Sequence, residues 1–250
     1  MNISIVNGKR SKPYPKLKGI CPYCNGRTVS KCGPKMRWHW AHQRKTNCDP
    51  WWENETEWHR EWKNFWPEEN QEVVHFASDG EKHIADVVTD SGLVVEFQNS
   101  PMSFEELQSR EQFYGNLVWI INASHFVKRM KYKARLPDPT HPLCQDIAIQ
   151  GVFEKYFVFS RPSEKAPDAT LVQIYDSFEH PHLLDNNFIG HFGFEWKKPR
   201  TVWYAARKPV YLDVGTDLLW QLCRYNDHNR FMCLYPQSKE MLISKFNFKK

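Results

Sequence analysis

A turn signal between two apolar runs constrains the fold of this chain more than any other feature. Residues 89–92 (Thr-Asp-Ser-Gly) separate the apolar runs 83–88 and 93–97. A three-residue loop with glycine at its left-handed position is a favoured hairpin connection, and its length fixes the register of the two strands. Counting back from the turn, we expect Asp86 directly opposite Glu96. Directly opposed residues share one face, with Cβ atoms about 5 Å apart.

Two opposed carboxylates at that distance repel each other, so the placement needs compensation. A divalent cation between Asp86 and Glu96 would remove the repulsion, and oxygen ligands with open positions suit Mg2+ or Mn2+. Such a metal activates water and neutralises the charge of a phosphate. The same register predicts Ile84 opposite Gln98, which shares the face of Glu96 because strand side chains alternate. The alternative is a solvent-facing hairpin whose two acids are merely exposed.

The runs on either side of the hairpin predict an α/β core. Asn54 followed by Glu57 three residues later is typical of a helix start, and Pro67 ends that helix. The remaining elements are strands at 73–76, 83–88 and 93–97, a helix from the Ser103 capping box to about Tyr114, and a buried strand at 117–121. The order is therefore helix, strand, strand, strand, helix, strand.

The first of these helices has two distinct stripes. Glu55, His59 and Lys63 are spaced four residues apart, so they lie on one side. Trp58, Trp62 and Phe65 lie on another, where the tryptophans are expected to clamp the helix onto the core.

Cysteine and histidine are clustered between residues 20 and 50. Cys21 and Cys24 form a C-x2-C knuckle, and tetrahedral zinc needs two more ligands from a chain segment that folds back. His42 with Cys48 is the favoured pair, because five intervening residues let two ligands converge; His39 with His42 is the alternative. A structural zinc ion would anchor a segment too small to fold alone. The other interpretations are a redox-active C-x2-C motif or a chance cysteine-rich loop.

Length and charge limit the class of protein. The chain has 250 residues, a net charge of +5 and a mean hydropathy of -0.68. This charge is compatible with a nucleic-acid partner without being diagnostic. No apolar run approaches about 20 residues, and no export signal is evident, so we expect a cytoplasmic protein without a membrane partner. The clustered cysteines favour a reducing compartment and a metal site over disulfides.

A basic run follows the predicted core. Lys128, Arg129, Lys131 and Lys133 interleave with Tyr132. Cationic side chains along a groove would neutralise phosphates, and the aromatic ring could stack on an unpaired base. The alternative, an ordinary solvated face, is slightly favoured.

Motifs across residues 20–122 together resemble the competence protein CoiA family of predicted nucleases. Asp86 followed by Glu96-x-Gln98 is similar to the nuclease signature PD-(D/E)xK. Arg110-x3-Tyr114 resembles the QxxxY element of exonuclease members of that superfamily, with Arg in place of Gln. The other motifs are Cys21-Pro22-Tyr23-Cys24, His39-Trp40-Ala41-His42, Trp51-Trp52-Glu53-Asn54-Glu55-Thr56, Trp58-His59, Trp62-Lys63, His83-Ile84-Ala85-Asp86 and Glu96-Phe97-Gln98-Asn99-Ser100.

The resemblance implies a PD-(D/E)xK restriction-endonuclease-like core with an N-terminal zinc-binding segment. It implies a metal-dependent nuclease that hydrolyses DNA phosphodiester bonds in competence, recombination or defence, with DNA as substrate and recombination proteins as candidate partners. Asp86 and Glu96 would hold catalytic Mg2+ or Mn2+, and Gln98 would take the place of the usual lysine. The implied supporting residues are Glu55 for metal or water, and Arg110 and Tyr114 for bracing the site or the substrate. His59 is a candidate supporting group or base, although a histidine among tryptophans is more often simply packed.

Gln98 is a departure from the PD-(D/E)xK pattern. Lysine offers a positive charge to an attacking hydroxide, whereas glutamine offers only hydrogen bonds. This leaves activation of water to the metal. The alternative function is therefore a catalytically weak or inactive DNA-binding or recombination-partner protein on the same fold.

Three segments are expected along the chain. Residues 1–50 would contain a loose basic arm, over residues 1–18, and the zinc-binding segment. Residues 51–150 would form the nuclease core, and residues 151–250 a β-rich C-terminal extension of unknown role. Within that extension, residues 218–222 favour a short helix.

Overall fold

The computed structural model describes residues 1–35, 37–44, 48–51, 55–77, 79–163, 171–174, 189–226 and 231–247. The chain is a sheet-rich mixed α/β protein that divides into two compact units. The first unit contains Met1–Ser100, Arg110–Leu117 and Phe246–Lys250; the second contains Pro101–Ser109 and Val118–Lys245. The boundary expected at residue 150 therefore falls inside the second unit.

The first unit begins with an antiparallel sheet of five short strands in the order β2-β1-β3-β4-β5. The strands are β1 (Ser4–Val6), β2 (Lys9–Ser11), β3 (Lys18–Ile20), β4 (Arg27–Lys31) and β5 (His39–His42).

The expectation of a loose arm over residues 1–18 is wrong. β1 and β2 form a hairpin around Asn7 and Gly8, whose φ values of 50° and 77° allow a two-residue turn. Ser4 is fully buried, and its Oγ lies 2.6 Å from Thr28 Oγ1. The exposed basic residues of β2 make this strand hard to recognise from composition.

Helix α1 (Glu57–Lys63) follows in the same unit. Its N-cap is Thr56, whose Oγ1 accepts from the His59 N–H while the Thr56 N–H donates to His59 Nδ1. The predicted start at Asn54 lies outside the described residues. Trp62 is 1% exposed and its ring stacks on Phe97 at 5.7 Å, so the tryptophan stripe does fix the helix to the core.

A short 3-10 helix (Glu68–Asn70) leads into three antiparallel strands, β6 (Gln71–Phe76), β7 (Lys82–Val88) and β8 (Val94–Gln98). The hairpin between β7 and β8 has the expected register: Val87 pairs with Val95, and the Thr89 N–H donates to Leu93 O at 2.9 Å. Gly92 has a φ of +77°, which explains glycine at that position.

Helix α2 (Phe104–Tyr114) has residues in both units, and the rest of the structure is mostly strand. The remaining strands are β9 (Leu117–Asn122), β10 (Met130–Leu136), β11 (Ala148–Val152), β12 (Tyr156–Ser160), β13 (Leu171–Ile174), β14 (His191–Trp196), β15 (Val210–Asp213), β16 (Leu218–Arg224) and β17 (Met232–Ser238). The remaining helices are α3 (Pro142–Gln145), α4 (Lys239–Asn247) and the 3-10 helices Val127–Arg129 and Thr201–Ala205.

In the second unit these strands are ordered β10-β14-β17-β16-β15-β9, with a separate sheet β11-β12-β13. The pair β9–β15 is parallel, whereas β16 is antiparallel to both of its neighbours, β15 and β17. The expectation of a helix over residues 218–222 is wrong, because this segment is the middle strand of a meander. Among the described residues, no helix is long and apolar enough to cross a membrane.

Candidate functional site

A small charged cavity of about 60 Å3 lies within the first unit. It is lined by residues from α1, β6, β7, β8 and the second half of α2. Its charged lining residues are Asp49, Glu55, Lys63, Glu72, Asp86, Glu96 and Arg110. Five carboxylates and two cations therefore share one enclosed space.

The β7–β8 hairpin opens where it reaches this cavity. Beyond Val87 and Val95, the main-chain ladder is replaced by carboxylates: the Asp86 N–H donates to Glu96 Oε1 at 3.1 Å, and the Phe97 N–H donates to Asp86 Oδ2 at 3.0 Å. Each acid is thus held by the backbone of the opposite strand. The two carboxylates predicted to face each other both line the cavity.

Asp49 replaces part of the missing ladder farther along the same edge of β7. Its Oδ2 accepts from the Ile84 N–H at 2.6 Å, and its Oδ1 lies 2.8 Å from His83 Nδ1. Ile84 is therefore bonded to Asp49, and the structure does not record the predicted pairing of Ile84 with Gln98. The two strands diverge on the N-terminal side of Val87, so the main-chain pairing of β7 with β8 stops there.

Lys63 is the cation nearest to Asp86. Its Nζ lies 2.9 Å from Asp86 Oδ1, 3.2 Å from Glu55 Oε1 and 3.5 Å from Glu72 Oε1. Burial opposes the charged form of Lys63, but the three carboxylates outweigh burial and raise its pKa. The motif analysis included Lys63, in Trp62-Lys63, but gave it no role in the site. The signal available was its place on the stripe of Glu55 and His59.

Glu72 is a further cavity residue that no motif indicated. Its φ of 46° is unusual for a residue other than glycine and marks local strain. Its carboxylate accepts from the Asn2 N–H at 3.0 Å and the Ile3 N–H at 3.1 Å. Asn2 Nδ2 also donates to Glu55 Oε1 at 2.6 Å. The segment before β1 thus orients two of the carboxylates that contact Lys63.

Arg110 stands beside Glu96. Its Nη1 donates to Glu96 Oε2 at 3.1 Å, its Nη2 donates to Trp51 O at 2.8 Å, and its guanidinium lies 5.4 Å from the Trp51 ring. Tyr114 does not line the cavity; its buried ring lies 5.9 Å from that of Trp51. Arg110 therefore contacts an acid of the site directly. Tyr114 instead packs near Trp51, whose main-chain oxygen accepts from Arg110.

The two opposed acids ionise differently. Burial alone would raise the pKa of Asp86, but the charge of Lys63, together with hydrogen bonds from Lys63 and the Phe97 N–H and smaller contributions, lowers that pKa overall. Burial and the charge of Asp86 raise the pKa of Glu96 to about 8, even though Arg110 opposes the shift. The pKa shifts of the two acids therefore have opposite directions, and the two acids titrate as a coupled pair.

His59 lines the cavity but is held at both ring nitrogens. Nδ1 accepts from the Thr56 N–H at 3.2 Å, so Nε2 carries the hydrogen and donates to Phe97 O at 3.1 Å. With 3% exposure and both nitrogens engaged, His59 has the geometry of a packed histidine and not of a base.

Gln98 is not among the cavity-lining residues. It is 2% exposed, and its amide nitrogen donates to Ser100 O at 3.2 Å and Ser100 Oγ at 3.3 Å. The cation beside Asp86 comes from α1, as Lys63.

The four favoured Cys/His residues converge elsewhere in the first unit. The side-chain donor atoms of Cys21, Cys24, His42 and Cys48 all lie within 4.8 Å of one another. The Cys21 and Cys48 sulfurs are 3.7 Å apart, close to the roughly 3.8 Å that separates two sulfurs on a tetrahedral zinc with Zn–S bonds of about 2.3 Å. A Cβ at Gly26 would lie 3.1 Å from Cys24 Sγ, so glycine makes room for the ligands.

This arrangement of three thiols and one imidazole could bind zinc. His39, the alternative ligand, is not part of the cluster; its Nδ1 lies 2.9 Å from Arg37 O. The spacing argument for His42 and Cys48 thus agrees with the geometry.

The same cysteine and histidine segment is similar to a known family. Residues 12–50 match the family model of the Competence protein CoiA, N-terminal domain. This match covers 39 of the 250 residues and shows that the N-terminal segment is similar to that domain of a competence protein. No curated protein and no solved structure matches the chain.

The basic run of residues 128–133 lies in the second unit. Lys128 and Arg129 end a 3-10 helix and are exposed, as is Lys131 on β10. Lys133 Nζ lies 3.3 Å from Glu195 Oε2, and Tyr132 already stacks on Trp220 at 4.5 Å. These contacts favour the ordinary solvated face over a surface that stacks bases.

Proposed function

We propose that this chain is a metal-dependent nuclease that hydrolyses DNA phosphodiester bonds in the cytoplasm during competence or recombination. The observation that carries the proposal is the presentation of Asp86 and Glu96, from opposite strands, into one cavity that also holds Lys63. The chain order α1, β6, β7, β8, α2, β9 agrees with a PD-(D/E)xK core. The PD-(D/E)xK core and the DNA hydrolysis are therefore parts of one proposal.

The donor chemistry of the cavity fits Mg2+ or Mn2+. Mg2+ is commonly bound by one or two carboxylates together with waters and substrate phosphate oxygens. Each oxygen of Asp86 and Glu96 contacts a protein N–H donor or ammonium, and a carboxylate oxygen has two lone pairs with which to contact donors or a cation. When bound, such a cation supplies a water of lowered pKa and neutralises phosphate charge.

The side chains of the chain itself have separate roles in this proposal. Asp86 is kept ionised by Lys63 and is partly open to the cavity, with 23% of its side chain exposed. The ammonium of Lys63 supplies the positive charge that Gln98 lacks, and this charge favours a hydroxide or a pentavalent phosphate nearby. Arg110 orients Glu96 through its hydrogen bond to Oε2.

A second candidate function is a DNA-binding or recombination-partner protein without catalysis. Lys63 and Arg110 favour it, because together they already neutralise the two opposed acids. In that case the cavity is a buried ion-pair network that stabilises the fold, and no cation is needed.

The test is cleavage of DNA by the full chain with Mg2+ or Mn2+, comparing Asp86→Ala and Glu96→Ala with Glu69→Ala. Glu69 is an exposed acid that does not line the cavity, so its replacement is the matched control. We expect loss of cleavage in the two cavity variants and not in the control. Equal cleavage by all variants contradicts the site, and DNA binding without any metal-dependent cleavage favours the second function.

A further inference from the structure

The second unit contains a cluster of metal-ligand side chains that neither the motifs nor the family match explains. Nitrogen of His191 and the sulfurs of Cys223 and Cys233 all lie within 4.8 Å of one another. The two sulfurs are 3.5 Å apart. The cluster lies outside residues 12–50, to which the CoiA match is confined.

Strand register brings these three residues together. Cys223 on β16 pairs directly with Cys233 on β17, so both side chains share one face. Phe192 on β14 pairs with Leu234, and extending this register places His191 opposite Tyr235. Tyr235 is two residues from Cys233 and therefore on the same face. Three adjacent strands thus present one ligand each.

The ring of His191 is fixed by its neighbours. It stacks on Tyr235, with 4.8 Å between ring centroids and 22° between planes. Gly190, with a φ of +111°, would bring a Cβ to 3.1 Å of the Tyr235 ring, so glycine lets the chain pass close over it. Nδ1 of His191 is buried and has no hydrogen-bond partner among the described residues. A buried, unsatisfied nitrogen beside two thiols is the environment of a metal ligand.

We propose that His191, Cys223 and Cys233 form a second zinc site. Two thiolates and one imidazole are ligands that zinc prefers, and the 3.5 Å between the sulfurs is compatible with the edge of a zinc tetrahedron. Three protein ligands leave a fourth position for water or another ligand. His191, Cys223 and Tyr235 also line an open cavity of about 760 Å3.

The experiment is the zinc content of the full chain, purified under reducing conditions and measured by mass spectrometry of the metal. We expect the variant Cys223→Ser with Cys233→Ser to hold one zinc ion fewer per chain than the wild type. His191→Ala is the second variant, which keeps both thiols and is also expected to lose zinc. Cys32→Ser, which removes a cysteine outside both clusters, is expected to keep the wild-type zinc content.

Cobalt adds a readout that depends on the ligands themselves. Thiolate ligands give Co2+ a charge-transfer absorption, so the cobalt form of the double variant should lose part of the wild-type intensity while Cys32→Ser keeps it. Far-UV circular dichroism checks that the variants are folded. Unchanged zinc in both the double variant and His191→Ala overturns the proposal, as does a Cys223–Cys233 disulfide in the wild type that is accompanied by no zinc difference.

Discussion

The ammonium of Lys63 touches three carboxylates, Asp86, Glu55 and Glu72, and the Lys63 side chain is 6% exposed. Removing one partner of a buried charge network leaves uncompensated charge, which is far more costly than losing a surface ion pair. The charge of Lys63 therefore compensates three of the cavity's carboxylates, whichever function the cavity serves.

Replacing Lys63 by methionine tests how much this charge compensation contributes to stability. Because methionine keeps most of the volume and removes the charge, we expect the free energy of unfolding to fall by about 3–5 kcal/mol. The loss should be larger at pH 8 than at pH 5, since the carboxylates repel only when ionised. Urea unfolding at both pH values measures it, and a loss that is the same at both would contradict the assigned network.

The raised pKa of Glu96 gives a second prediction at this scale. A carboxyl whose folded pKa of about 8 exceeds its ordinary value near 4.5 binds a proton more tightly when folded. Its stabilising contribution is complete below pH 4.5 and is lost as the pH rises to about 8. Glu96→Gln removes this loss, so the variant should gain stability relative to wild type between pH 5 and pH 8.

The pKa shift of Asp86 has the opposite sign to that of Glu96. Its folded pKa is lowered, so its contribution is present above the ordinary aspartate value and is lost as the pH falls below it. Urea unfolding of wild type, Glu96→Gln and the exposed-site control Glu69→Gln between pH 4 and pH 9 separates the two effects. A wild-type to Glu96→Gln difference that does not change with pH would show that folding leaves the pKa of Glu96 unshifted, which contradicts the prediction.

At the scale of elements, the β7–β8 turn fixes which residues meet in the cavity. Gly92 has a φ of +77°, and no atom lies within 4 Å of the position that a Cβ would take, so an alanine there costs backbone strain and nothing else. We expect Gly92→Ala to destabilise the protein by about 1 kcal/mol in thermal or urea unfolding.

Gly33→Ala is the matched control for this prediction. Gly33 also has free space around its Cβ position, but its φ is not in the left-handed range. We expect little change or a slight gain in stability from the reduced freedom of the unfolded chain. Equal destabilisation by the two substitutions would mean that the turn conformation is not what glycine provides.

The sequence predicted this hairpin because turn type and register are local properties. The place of Lys63 could not be predicted in the same way, since it depends on how α1 packs against β7, and that packing is tertiary. Residues 218–222 were expected to be helical, yet hydrogen bonding to strands on both sides makes them the strand β16. The hairpin of β1 and β2 had a local signal, Asn7-Gly8, which the basic composition of the segment obscured.

At the scale of the whole molecule, the candidate zinc cluster of the first unit lies in a segment of short strands. The first unit has a five-stranded sheet of short strands joined to the Cys21, Cys24, His42 and Cys48 cluster. The second has a large apolar cluster that includes Leu136, Phe157, Phe159 and Tyr225. A metal should therefore matter more to the first unit than packing alone would indicate.

Loss of one ligand tests this dependence. We expect Cys24→Ser to make the segment of residues 1–50 sensitive to limited proteolysis while fragments of the second unit survive. Cys32→Ser, at a cysteine outside the cluster, should leave the digestion pattern unchanged. Equal resistance in the two variants would show that the cluster does not stabilise the N-terminal sheet.

The most direct measurement of the central claim is the rate of DNA cleavage by the full chain as a function of Mn2+ concentration, for wild type, Asp86→Asn and Glu69→Gln. Asn keeps the size of Asp86 and removes the charge that would face the cation. We predict metal-dependent cleavage by wild type and Glu69→Gln, and a fall of about 100-fold or more in Asp86→Asn. Metal-dependent cleavage that Asp86→Asn retains in full would contradict the account.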